Sequence, residues 1–127
     1  MKQSELPDRL RRIVGEAWAF RWKVELEAEI RFARLAGRLQ PVGALPSIVE
    51  LASRAASDER RHASICAALA KEYGHPGIDE SAVTASEIAP RRLSEKQRVL
   101  YEVVAACCIT ETESVSVLTT LVNSVSS

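Results

Sequence analysis

The sequence predicts an all-α fold: a helical bundle of three long helices, with a long crossover between the second and the third. Three observations predict it. The hydrophobic share is 46% while aromatics make up only 5%, the balance of helices packing closely through small side chains. Apolar residues recur at three- and four-residue steps in three stretches. Pro and Gly, five of each in 127 residues, concentrate between those stretches. The length suits one domain.

The first helix is expected at about 7–39. Val14, Trp18, Trp22, Glu25, Glu29, Phe32, Ala36 and Leu39 form one stripe along it. The stretch Gln40-Pro41-Val42-Gly43-Ala44-Leu45-Pro46 then breaks the pattern, so helices one and two should form an antiparallel hairpin. The second helix is expected at about 47–73. Ser47 and Glu50 have capping-box spacing, the stripe runs through Leu51, Ala55, Glu59, His62, Cys66, Leu69 and Tyr73, and Gly74 fits a C-terminal stop. The segment from His75 to Arg92 is polar and aperiodic. Extended at ~3.3 Å per residue it reaches about 60 Å, more than the ~40 Å of helix two at ~1.5 Å per residue. It can therefore cross the whole bundle and set helix three parallel to helix two. The third helix is expected at about 94–122, opened by a second box, Ser94 and Gln97, with Leu100, Val104, Cys107, Glu111, Ser114 and Leu118 on one side.

The stretch Glu59-Arg60-Arg61-His62 carries the chemistry. A Glu and a His three apart share a helix face, and on a buried face they make a carboxylate–imidazole half-site for a transition metal. On an exposed helix the same tetrapeptide carries no meaning, and Glu25, Glu27, Glu29, Arg31 and Arg34 also read as a surface ion-pair series. The hairpin geometry argues for the site. Glu25 stands fourteen residues before Leu39, and Glu59 twelve after Ser47, so at ~1.5 Å per residue their depths differ by only ~3 Å. Glu111, seventeen residues after Ser94, falls near mid-bundle if helix three runs parallel to helix two. Three buried carboxylates without a cation would each lose several kcal/mol of solvation, roughly, and raise one another's pKa. Oxygen donors with one imidazole suit iron or manganese, and zinc as well. Cys66 and Cys107 read as small core residues. Glu113 should face solvent.

These residues resemble the ferritin-like superfamily of rubrerythrin, ferritin and related di-iron carboxylate proteins, whose plan is a Glu from each of two helices and Glu-x-x-His from each of two others. Glu25 matches the first-helix Glu. Asp58-Glu59-Arg60-Arg61-His62-Ala63 matches the second-helix motif, and Cys108 to Ser114 resembles the third-helix segment with Glu111 as its ligand. The resemblance implies iron held by Glu25 as terminal ligand, Glu59 as bridging ligand, His62 as nitrogen ligand and Glu111 toward a second ion. It also implies oxidase, ferroxidase or peroxide-linked activity. It covers nearly the whole chain, but only sixteen residues follow Glu111, and a second Glu-x-x-His is not among them. A homodimer, or a separate chain, is therefore expected to complete the four-helix bundle.

Seventeen basic and seventeen acidic residues cancel, which gives no electrostatic case for nucleic acid or an anionic membrane. The polar start and the want of any run of ~20 apolar residues predict neither a signal peptide nor a membrane span. Three cysteines point to a reducing compartment, the cytoplasm. The competing expectation is a non-catalytic helical oligomerisation or scaffold protein without a complete metal site.

Overall fold

The computed structural model describes residues 5–126, including the side chains of all but Ile109, Thr110, Thr112, Glu113, Val125 and Ser126. The expectation for Glu113 thus lies outside the described side chains. The described residues are all-helical, without strands. Helix α1 spans Asp8–Leu39 and α2 spans Pro46–Glu72. After a 3-10 turn at Glu80–Ala82 comes one continuous helical run: α3 at Glu95–Glu102, a π-helical segment at Val103–Ile109, and α4 at Thr110–Ser126.

Helices α1 and α2 form the expected hairpin and end alike. Gly43 (φ 88°) and Gly74 (φ 81°) take the left-handed conformation that glycine adopts freely. The following amides of Ala44 and His75 reach back to the Leu39 and Ala70 carbonyls at 3.1 and 3.0 Å, closing each helix with a Schellman turn. The start of α2 departs from expectation. Pro46 is its first residue, Leu45 stands at the cap, and no side chain caps the helix. Proline at the first position fixes φ and has no amide to satisfy, so the Ser47–Glu50 box is not used. The box at Ser94 and Gln97 is formed in both directions.

The hairpin interface is built on alanine. Ala19, Trp22 and Leu26 of α1 pack against Ala63, Cys66 and Ala70 of α2, and Ala63 and Ala70 are 1% and 0% exposed. Small residues let the backbones approach, and large ones are pushed outward. Leu51, expected on the buried stripe, is therefore exposed while its neighbour Ala52 is buried.

The linker runs the length of α1. Tyr73 and His75 lie against Gly15, Ile78 and Val83 pack on the Trp22–Leu26 cluster, and the Trp22 indole donates to Glu80 at 2.9 Å. Farther on, Arg34 donates to the Ala85 carbonyl at 2.7 Å, and Arg38 pairs with Glu87 at 2.6 Å and Glu95 at 2.8 Å. The linker thus climbs from the open end of the hairpin to its loop, where Val99 packs with Leu35, Leu39 and Ala52. From there the third helical run begins, with α3 approaching α1 and with Glu102, Cys107 and Glu111 lining one cavity with residues of α1 and with Glu59 and His62 of α2.

The face of this third run differs from expectation. Leu100, Val104 and Leu118 are exposed, whereas Val99 and Glu102 are buried. Beyond Val103 the expected stripe keeps its register, since Cys107, Glu111, Ser114 and Leu118 line one cavity together. Helix α4 has little close backbone approach to the hairpin. No described helix is long and apolar enough to cross a membrane.

Candidate metal centre

The level placement of α1 and α2 brings Glu25, Glu59 and His62 together. One donor atom from each lies within 4.8 Å of the others. Donors around a single ion at about 2.1 Å lie up to about 4.2 Å apart, a spacing comparable with this upper limit. The side chains of Glu25 and Glu59 are 11% and 14% exposed, and that of His62 is 46% exposed. The two carboxylates are sunk in the hairpin and the imidazole forms their solvent edge.

Three contacts organise the cluster. Arg21, four residues before Glu25 on α1, pairs with its carboxylate at 2.5 Å. Glu59 meets the Nδ1 of His62 at 3.4 Å, the helical i,i+3 contact that the motif was expected to make. Burial, a hydrogen bond to Glu25, and the charges of Glu25 and Glu111 push Glu59 up to about 8, with Arg21 opposing. Two carboxylates so close cannot both ionise cheaply, and one keeps a proton. A cation is the other way to satisfy the same oxygens. The donor set fits iron, manganese or zinc on this ground, because two buried carboxyl groups and an imidazole converge where one proton now offsets the repulsion.

Glu111, expected toward a second ion, is exposed and outside the Glu25–Glu59–His62 group. It still lines the same cavity, of about 410 Å³, and its charge is felt at Glu59. Asp58 is exposed and pairs with Arg61 at 3.5 Å. Cys66 is buried in the hairpin core, as expected, and burial raises its thiol. Cys107 is half-buried on the cavity wall and is also raised by burial.

Sequence reasoning missed Glu102, a buried carboxylate in the cavity wall. It accepts from the Ile88 amide at 2.6 Å and the Ala89 amide at 3.4 Å, pinning the end of the linker to α3. Its signal was the spacing Val99, Glu102, Ala106 on the face that α3 buries, one residue away from the face assigned. Comparison with family models, with curated proteins and with solved structures returned no match.

Proposed function

We propose that the chain is a ferritin-like, di-iron carboxylate type of metal-binding protein of the cytoplasm. Iron is held by Glu25, Glu59 and His62, and manganese and zinc suit the same donors. The observation that carries the reading is the convergence of two sunken carboxylates and one imidazole from adjacent helices within 4.8 Å. When bound, iron would supply oxygen- or peroxide-linked oxidation, or be itself the ferrous substrate of a ferroxidase.

The chain's own groups have definable parts. Glu59 releases its proton as the site loads, because its carboxyl is protonated up to about 8. Arg21 positions the Glu25 carboxylate through their contact at 2.5 Å. His62 presents an imidazole at the solvent edge. Glu111 stands across the cavity as a ligand toward a second ion. Three protein donors leave positions for further ligands, and a second copy of this chain or a separate chain supplies them in this reading. The exposed Val115, Leu118 and Val122 of α4 offer the apolar surface for such a partner.

The test is iron and manganese content of the purified protein beside Glu59→Ala and His62→Ala. The reading expects bound metal in the wild type and its loss in both variants. Equal metal content in all three would sink it. The second reading, a helical scaffold without chemistry, is favoured by one contact: the Arg21 pair already neutralises Glu25 without a cation. That reading expects no stoichiometric metal in the wild type and unchanged assembly in both variants.

A further inference from the structure

The carboxylate–imidazole cluster already has a cation beside it, and the chain itself supplies it. Four arginines of α1 line the cavity: Arg21, Arg31, Arg34 and Arg38. Arg34 and Arg38 tie the linker to α1, and the Nε of Arg31 is buried without a partner among the described residues. The arginines inside the Glu59–His62 motif are engaged elsewhere, Arg60 with Glu29 and Glu80, and Arg61 with Asp58. Among the described residues only Arg21 offers a guanidinium to a donor of the cluster, its Nη2 donating to Glu25 Oε1 at 2.5 Å. Its charge is also felt at Glu59.

Charge makes this pair exclusive with a metal. Two carboxylates balance one divalent cation and leave no negative charge for a guanidinium. A guanidinium and a divalent cation sharing one carboxylate repel each other. At a separation of about 5 Å, Coulomb's law with the dielectric of water gives about tenfold in affinity. The water value applies because the Arg21 side chain is half exposed. The pair is also placed to open. The Glu25 side chain is 11% exposed and that of Arg21 49%, so the guanidinium meets the carboxylate from the solvent side and returns to water without crossing the core. On a helix, a basic residue four before an acidic one is the weaker of the two orders. We propose that Arg21 is the resident counter-ion of the carboxylate pair, seated on Glu25 in the metal-free protein and displaced into solvent when a divalent cation takes that carboxylate. Loading is then a competition between a tethered cation and a free one, and Arg21 sets how much free metal the site needs.

This names a regulator of the proposed metal site and rests on the metal-binding reading, but the two fail differently. The experiment is a calorimetric titration of the full chain with manganese at one pH, on wild type, Arg21→Gln and Arg21→Lys, with circular dichroism of each. Arg21→Gln should bind manganese about tenfold more tightly than the wild type. Arg21→Lys, which keeps the charge, should stay within about threefold of the wild type. Equal or weaker binding by Arg21→Gln overturns the proposal and leaves the metal-binding reading standing. So does binding by Arg21→Lys as tight as by Arg21→Gln, since charge would then not be the cause. Manganese binding by none of the three overturns both. A second measurement needs no variant and stands even if Arg21→Gln fails to fold. Phenylglyoxal, which modifies arginine, should mark Arg21 of the wild type faster with saturating manganese than without, by peptide mass spectrometry. The exposed Arg12 serves as the reference and should be marked at one rate throughout. An Arg21 rate that manganese leaves unchanged or slows overturns the proposal.

Discussion

Helix α1 of the hairpin and the helical run from Glu95 to Ser126 are of similar length but are held in different ways. The hairpin is joined along an alanine-lined seam, and the linker is stitched to it by Trp22–Glu80, Arg34–Ala85 and Arg38–Glu87. Among the described residues the third run packs on the hairpin near its start, through Val99, Val103 and Cys107, and Glu102 ties it to the linker. Beyond the π segment, Leu118 and Val122 are 59% and 63% exposed. The difference teaches where the proposed chemistry can be positioned. Glu25, Glu59 and His62 all belong to the tightly packed half, whereas Glu111 belongs to the loosely held half. A site that needs fixed donors is preorganised by the hairpin, and α4 contributes walls.

If that contrast is right, mutations should divide sharply by region. Trp22→Ala should cost about 3–5 kcal/mol in urea unfolding, because it opens a cavity in the seam and strands Glu80. A cost below about 1 kcal/mol would mean that the seam is not the stabilising element. The metal-free protein should also lose stability as pH rises from about 4.5 toward 8. The folded-state value of Glu59 is raised, so the protonated form favours folding, and the gain disappears as pH passes through about 8. Glu59→Gln should flatten this profile, and an unchanged slope would place the titration elsewhere. Metal affinity should move the opposite way, rising with pH up to about 8 as the competing proton is lost.

Smaller effects sharpen the boundary between the halves. Val99→Ala, at the most buried contact of the third run, should cost about 2 kcal/mol from two lost methyl groups plus the space left behind. Hydrogen exchange should then quicken from 95 to 126 while α1 and α2 stay protected; uniform loss of protection would mean the two halves unfold together. Leu118→Ser should change monomer stability by no more than about 0.5 kcal/mol. A larger loss that depends on protein concentration would show that α4 is buried in an oligomer.

Much of this arrangement was legible in the residues. Helical period and the two breaker segments gave the helices, and counting from the hairpin loop set Glu25 level with Glu59. The linker's length against that of α2 gave the crossover. What misled was size. Leu51 and Leu100 look like core residues, yet close helix packing selects Ala52, Ala63 and Ala70, and the larger side chains turn outward. Glu102 was missed because the face of α3 was assigned from Leu100 rather than Val99. The orphaned Nε of Arg31 could not be read at all, since Glu27 offers it a partner in sequence that Lys23 takes in space.

The central claim is that the hairpin alone fixes three metal donors. A crystal of the protein soaked in manganese and measured at an anomalous wavelength tests it directly. The account predicts a peak bonded to Glu25, Glu59 and the His62 imidazole at about 2.0–2.2 Å, the usual range for such donors. A peak seated on other side chains, or none at saturating metal with Arg21 still closed on Glu25, would contradict it.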